Sequence, residues 1–100
     1  MLDSFRTYQI SLELYRAAEK VKGLRYDLKD QLLRASSSIC LNLAEGSAKP
    51  TVKDRKKFYF IALGSCREVQ TVIEMKRNEI GELHALADRL GGSLYRLTRS

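Results

Sequence analysis

The densest run of positive side chains in this chain surrounds its only proline, Pro50. The members of this basic run are Lys49, Lys53, Arg55, Lys56 and Lys57. Ammonium and guanidinium groups at this density can neutralise nucleic-acid phosphates and release their counterions, which gives an affinity that falls with salt. The alternative is an ordinary solvated helix face. We take phosphate contact as the hypothesis for the basic run.

Two smaller groups of cations are further candidates for phosphate contact. One lies near the C-terminus and the other near the end of the first predicted helix; they comprise Arg96 and Arg99, and Arg16, Lys20 and Lys22. Aromatic side chains are not interleaved with these cations in any nucleic-acid-binding motif, so nothing predicts base-specific contacts.

The charge balance favours a polyanionic partner. The net charge is +6, and residues 49–100 carry eleven Lys or Arg against six Asp or Glu, whereas residues 1–48 carry seven against six. A basic balance bears on partners and solubility rather than on fold. We therefore expect RNA or DNA, or an RNA–DNA hybrid, as the macromolecular partner.

The first residues lack the apolar segment of a secretory signal, and no run approaches the roughly 18 apolar residues of a membrane span. We expect a cytoplasmic protein without a membrane partner. The two cysteines, Cys40 and Cys66, stand in separate helical patterns without metal spacing. Small buried apolar side chains are the expectation for both, rather than a disulfide or a metal site. No cofactor is expected.

One pair of residues raises the possibility of acid–base catalysis. Arg77, Asn78 and the single histidine, His84, are similar to the Arg…His signature of small helical ribonucleases. Such a pair could act on an RNA 2′-hydroxyl. A lone histidine at the edge of an apolar stripe is more often structural, and Arg77 lies at a helix break. No P-loop, nucleophile elbow or carboxylate pair is present. We expect a protein that is not an enzyme.

The stretch from Gln31 to Gly46 has a wide apolar arc and a narrow polar line when it is read as a helix. The apolar arc comprises Leu28, Leu32, Ala35, Ile39 and Leu43, extended by Leu33, Cys40 and Ala44, and the polar line comprises Gln31, Arg34, Ser38, Asn42 and Glu45. A surface helix needs one apolar stripe. We expect the extra apolar surface to contact another subunit, and the polar line to form a hydrogen-bond network, with Arg34 reaching Glu68. A ligand or catalytic site in the polar line is the alternative.

Helical periodicity covers nearly the whole chain of 100 residues. It predicts one all-α domain, residues 1–100, with helices over about 3–22, 27–45, 51–76 and 79–97. Short connections predict an antiparallel up-down-up-down four-helix bundle. Gly23 and Gly46 are the expected helix stops. Ile61 is assigned to the buried stripe of the third helix, and Phe5 to one of two stripes on the first.

Two motifs at a fixed separation carry a resemblance to a known family. Residues 31–46 read Q-L-L-R-A-S-S-S-I-C-L-N-L-A-E-G, and residues 55–68 read R-K-K-F-Y-F-I-A-L-G-S-C-R-E. Together they resemble the four-helix-bundle family of proteins encoded in intervening sequences of bacterial large-subunit ribosomal RNA. The accessory variability determinant of diversity-generating retroelements is a member of the same family. The first connection, residues 23–26, is shorter than usual in the family, and Cys40-Leu41 departs from the common pattern.

The resemblance implies a ring-shaped homopentamer with a basic surface and no enzymatic activity. The family's motif positions correspond here to Gln31, Arg34, Ser38, Asn42, Glu45, Gly64, Ser65 and Glu68. The retroelement protein binds a reverse transcriptase and nucleic acid. On this basis we expect an accessory subunit that supports mutagenic reverse transcription of template RNA. An intervening-sequence protein of unsettled role and a small helical ribonuclease are the alternatives.

Overall fold

The computed structural model describes residues 2–76 and 81–99, which form four α-helices and no strand. The helices are α1 (Leu2–Lys20), α2 (Tyr26–Ser47), α3 (Val52–Met75) and α4 (Gly81–Arg99). The expectation of an all-α protein is confirmed. The expected break at Arg77 and Asn78, and the expected start of the fourth helix at Glu79, lie outside the described residues.

The helices pack side by side into a four-helix bundle that measures 42 × 20 × 18 Å. Each helix contacts two others, in the cyclic order α1, α2, α3, α4, and helices across the diagonal are not in contact. Hydrogen bonds between side chains show how α2 runs relative to α3. The bonded pairs are Gln31 with Glu68, Ser38 with Ser65, and Ser47 with Tyr59. The partner number falls as the residue number rises, so these helices are antiparallel.

The core lies along the axis and is built from aliphatic side chains of all four helices. Its largest members with no exposed surface are Leu14, Leu32, Ile39, Leu43, Val69, Leu90 and Leu94. The apolar arc predicted for α2 supplies four buried residues to it, Leu32, Ala35, Ile39 and Leu43. Burial of each such aliphatic side chain contributes about 1.5–3 kcal/mol.

The buried line of α1 differs from both stripes expected on that helix. It includes the small polar residues Thr7 and Ser11, whereas Phe5 is 59% exposed. These hydroxyls can be buried because each donates to a carbonyl in its own helix, Thr7 to Asp3 and Ser11 to Tyr8. Their small size then lets neighbouring helices approach α1 closely.

Helix α1 ends at Lys20, and the expected stop, Gly23, lies three residues later in the first connection with a φ of 85° that favours glycine. Lys29 helps to close this end of the bundle, because its ammonium donates to the carbonyls of Glu19 and Val21 at the end of α1. The last carbonyls of a helix have no partner within it. Lys29 of α2 therefore satisfies groups that α1 cannot.

The assignment of Gly46 as a helix stop is wrong. Helix α2 continues through Gly46 to Ser47, and Ala48 closes it with a right-handed conformation. Gly46 is buried instead against α3, where a Cβ atom would lie 2.9 Å from the Phe58 Cβ and 3.2 Å from the Arg55 carbonyl oxygen. The glycine is required by a close helix approach, which the sequence pattern alone cannot distinguish from a stop.

Helix α3 begins with an N-cap, since the Thr51 hydroxyl accepts a hydrogen bond of 3.2 Å from the Asp54 backbone N–H. The assignment of Ile61 to the buried stripe of α3 is wrong, because its side chain is 52% exposed. The line that reaches the core passes through Tyr59, Ala62 and Cys66 instead. None of the described helices is long and apolar enough to span a bilayer.

Candidate nucleic-acid interface

The polar line of α2 forms a seam with α3 inside one chain. In this α2/α3 seam the Ser38 and Ser65 hydroxyls lie 2.9 Å apart, and the Asn42 amide donates to the Ser38 carbonyl at 2.8 Å. At one end the Gln31 amide donates to the Glu68 carboxylate at 3.4 Å. Complementary hydrogen bonds between facing helices fix their relative register. The seam thus has a structural use that needs no ligand.

The expected contact between Arg34 and Glu68 is not made. Arg34 instead lies 3.6 Å from Asp30, one helical turn earlier, and both side chains are more than two-thirds exposed. Residues four apart on a helix surface are neighbours, which explains this pairing. Glu45 has a cation partner, as its position at a helix C-terminus requires: the Lys49 ammonium lies 3.3 Å away.

Part of the basic run is engaged in local structure. The Arg55 guanidinium donates to the carbonyls of Lys49 and Pro50, at 3.0 Å each, and so holds the α2–α3 connection. Lys49 pairs with Glu45 and stands 5.3 Å from the centre of the Phe58 ring. Such engagement reduces the field that these groups offer to a phosphate.

The remaining lysines of the basic run are more available. Lys57 lies 3.8 Å from Asp54 with its side chain 68% exposed, which makes a weak surface ion pair. Lys53 and Lys56 have no ion-pair partner within residues 2–76 and 81–99. These two lysines are therefore the cations of the run most free to contact a phosphate.

The two smaller cation groups lie at opposite ends of the rod. Arg99 stacks 4.6 Å from the Tyr95 ring centre, and Arg96 donates to the Ser93 hydroxyl at 3.4 Å. Lys20 and Lys22 line a groove of about 380 Å³ beside the start of α4. Arg16 is exposed on α1. Arg96 and Arg99 at the end of α4 lie at the same end of the bundle as the basic run, whereas Lys20 and Lys22 lie at the other end.

Sequence reasoning missed two arginines, Arg6 and Arg89, which the fold places beside Arg96. All three line a groove of about 470 Å³ between α1 and α4. The α1/α4 groove, named here for these three residues, is built by the antiparallel register of its helices. Spacing on α4 could have linked Arg89 to Arg96, two turns apart on one face. Nothing in the sequence could have added Arg6, because the register comes from packing.

Catalytic and metal-binding arrangements are sparse in the described part of the chain. His84 lies 3.6 Å from Asp88 on the surface of α4, while Arg77 and Asn78 of the suggested ribonuclease pair lie outside the described residues. Among residues 2–76 and 81–99, no group of three His, Cys, Asp or Glu side chains could hold a metal ion.

The two cysteines are free thiols, and only one of them matches the expectation of burial in full. Cys66 is buried, and burial raises the pKa of its thiol to about 11. Cys40 is half-buried beside the Ser11 carbonyl, and desolvation raises the pKa of its thiol as well. A thiol with a raised pKa is a poor nucleophile at neutral pH. Neither cysteine has the environment of a reactive residue.

Comparison with known proteins gives one positive finding. The family model described as the 23S rRNA-intervening sequence protein matches residues 5–90, which run from α1 through α2 and α3 to the middle of α4. No curated protein and no solved structure matches the chain. The matched span includes both motifs that carry the resemblance. The chain belongs to the 23S rRNA-intervening sequence protein family.

Proposed function

We propose that this protein is a non-enzymatic, oligomeric protein that binds nucleic acid, with RNA as the principal ligand, through repeated basic surfaces. The observation that carries the proposal is the pair of lysines at the start of α3, exposed Lys53 and partly exposed Lys56, which have no carboxylate partner among the described residues of a chain of net charge +6. Such a surface attracts a polyanion whatever its sequence.

Charge removal at matched positions tests this proposal. The double variant Lys53→Gln with Lys56→Gln removes the two unpaired cations, and Lys49→Gln with Lys57→Gln removes two paired ones. We expect the first to weaken RNA binding several-fold more than the second, because the paired ammonium groups already interact with carboxylates. Equal effects of the two variants, or none, would show that the start of α3 is merely solvated.

Self-association into a ring is the second part of the proposal. Leu41 on α2 and Ile61 on α3 are 69% and 52% exposed, and the α2–α3 register places them at the same level. Gly64, one turn further along α3, has no neighbour within 4 Å that an added Cβ would meet. A small residue beside exposed aliphatic side chains is suited to close contact with a second copy of the chain. A head-to-tail contact of this kind closes into a ring when its rotation allows.

Light scattering tests the assembly. A pentamer of an 11.4 kDa chain has a mass of about 57 kDa, five times the chain mass. We expect Leu41→Lys or Ile61→Lys to lower that mass. The control is Tyr26→Lys, at an 86% exposed position at the start of α2. A wild-type monomer at all concentrations would contradict the assembly.

The retroelement accessory role is the most specific form of the proposal. The support for this role is the resemblance of two segments to that branch of the family. They are residues 54–68, D-R-K-K-F-Y-F-I-A-L-G-S-C-R-E, and residues 86–97, L-A-D-R-L-G-G-S-L-Y-R-L. Five copies in a ring would present a net charge of five times +6 to a reverse transcriptase and its template. Co-purification with a reverse transcriptase encoded beside the gene tests it, and a gene located within a ribosomal RNA operon would favour the intervening-sequence branch instead.

Absence of catalysis is also part of the proposal. We expect purified protein to leave RNA intact. Cleavage that disappears in His84→Ala would overturn this and would favour the ribonuclease alternative.

A further inference from the structure

The α1/α4 groove gathers arginines that are distant in sequence and adjacent in space. Arg6 comes from the first helix, and Arg89 and Arg96 come from the last. A hydrogen bond of 3.1 Å between the hydroxyls of Thr7 and Ser93 ties the two helices together beside it. This contact fixes the relative position of the two helices that form the walls of the groove.

The arginines of the groove form no ion pair among residues 2–76 and 81–99. Arg96 donates to the Ser93 hydroxyl, a neutral acceptor in its own helix. Within the described ranges, neither Arg6 nor Arg89 has a carboxylate within 4.0 Å. Unlike Arg55, which donates to two backbone carbonyls, these guanidinium groups have no backbone carbonyl partner in the part of the chain that the structure describes.

The shape of the groove suits a chain of anions. Arg89 and Arg96 are two turns apart, so their Cα atoms are separated by about 10 Å along α4. In duplex DNA the phosphates of one strand advance about 3.4 Å along the axis at each step. Neighbouring phosphates of a single strand are further apart than this but closer than the two arginines, so Arg89 and Arg96 can contact different phosphates. Gly92 lies between these arginines on the same face, and a Cβ there would stand 3.7 Å from the Arg96 Nη1. The glycine leaves the floor of the groove open.

The chemistry of the groove favours phosphate over a carboxylate ligand. A guanidinium group presents a planar fork of donors that matches two phosphate oxygens, and three forks from two helices can contact successive phosphates. Asp3 and Asp88 also line the groove, which reduces its formal charge to +1. The carboxylates oppose any anion, so a ligand must make direct contacts with the arginines rather than rely on the overall field.

We propose that the α1/α4 groove is a binding site for the phosphate backbone of an RNA strand, which contacts the guanidinium groups of Arg6, Arg89 and Arg96. This rests on the proposed function and identifies its principal contact surface. The groove lies between α1 and α4, whereas the basic run lies on the α2–α3 connection and the start of α3 and is partly engaged by Glu45 and Asp54.

The decisive variant fills the groove without changing any charge. Gly92→Leu places an aliphatic side chain against Arg96, and Gly92 is exposed, so the fold tolerates it. Ala85→Leu is the control, since it adds comparable apolar bulk at an exposed position of α4 outside the groove. Binding of a mixed-sequence RNA oligonucleotide by the intact protein is followed by fluorescence anisotropy. We expect Gly92→Leu to weaken binding about tenfold, the equivalent of losing one charged hydrogen-bonding contact, and Ala85→Leu to change it less than twofold.

A second pair of variants removes one charge. Arg89→Gln removes a groove arginine, and Lys76→Gln removes a cation outside every candidate group. Loss of a phosphate contact lowers the slope of log affinity against log salt by about 0.7 for a single strand. We expect that decrease for Arg89→Gln and a smaller one for Lys76→Gln.

The outcomes separate this inference from the proposal beneath it. If wild-type protein fails to bind RNA, both are overturned. If wild-type protein binds RNA in a salt-dependent way, but Gly92→Leu and Arg89→Gln behave like their controls, the proposed function stands but RNA does not bind in the groove. Thermal unfolding of each variant confirms that the comparison is between folded proteins.

Discussion

Gly46 and Gly64 offer a direct test of how α2 packs against α3. Both are helical glycines, and replacing a glycine by alanine within a helix gains about 1 kcal/mol of helix propensity. At Gly46 the new Cβ would meet the Phe58 Cβ at 2.9 Å, the Tyr59 Cε1 at 3.0 Å and the Arg55 carbonyl oxygen at 3.2 Å. Two of these atoms belong to, or are attached directly to, the backbone of α3. Relief of the contact therefore requires the helices to move apart.

The expected change in the free energy of unfolding is the difference between the cost of overpacking and the gain in helix propensity. Overpacking of a close contact costs about 1–3 kcal/mol, and Gly46 lies near the end of α2, where the propensity gain is smallest. We expect Gly46→Ala to lower the free energy of unfolding by about 1–2 kcal/mol. Gly64→Ala meets no atom within 4 Å and should raise it by up to about 1 kcal/mol. For a domain of this size, each kcal/mol corresponds to a shift in Tm of about 4–8 °C.

Thermal and urea unfolding followed by circular dichroism measure both variants against wild type. A concentration series is included for Gly64→Ala, because contact of that residue with a second copy would make its effect depend on concentration. The reasoning is refuted if Gly46→Ala is as stable as Gly64→Ala, since that result is expected of a simple helix stop.

Further predictions concern a groove carboxylate, a buried thiol and a helix end. Asp88→Asn should strengthen RNA binding several-fold at low salt, because it removes a charge that opposes phosphate in the α1/α4 groove; unchanged or weaker binding in an anisotropy titration would count against that site. Burial raises the pKa of Cys66 from 9.0 to about 11, so the neutral thiol stabilises the fold fully below pH 9, and this contribution, on the order of 2 kcal/mol, is lost as pH rises towards 11. Urea unfolding should therefore show a smaller alkaline loss of stability for Cys66→Ala than for wild type. Lys29→Met should lower Tm by a few degrees, because it leaves the carbonyls of Glu19 and Val21 without their donor, whereas Lys53→Met should not.

The helices and most of the core were predictable because they depend on local periodicity. Leu32, Ile39 and Leu43 recur at helical spacing, and the structure buries all three. Ile61 and Phe5 fit such a pattern equally well but are exposed. Periodicity identifies an apolar face without showing whether the same chain covers it.

Contacts between helices could not be predicted, since they depend on register. Arg34 and Glu68 are both present in the sequence, but in the packed bundle Glu68 accepts a hydrogen bond from Gln31, and Arg34 forms an ion pair with Asp30. The same limit applies to the candidate site. The clustering of cations in the sequence indicated the basic run as the site, but Arg55 of that run donates to backbone carbonyls. The α1/α4 groove, by contrast, brings Arg6 of the first helix close to arginines of the last helix.

The dependence of RNA binding on salt decides whether this family member binds nucleic acid through repeated basic surfaces. We expect the log of the affinity of wild-type protein for a mixed-sequence RNA to fall linearly with log salt. A slope of about −2 or steeper corresponds to contacts with at least three phosphates of a single strand. No detectable binding at low salt, or an affinity that salt leaves unchanged, would contradict the claim.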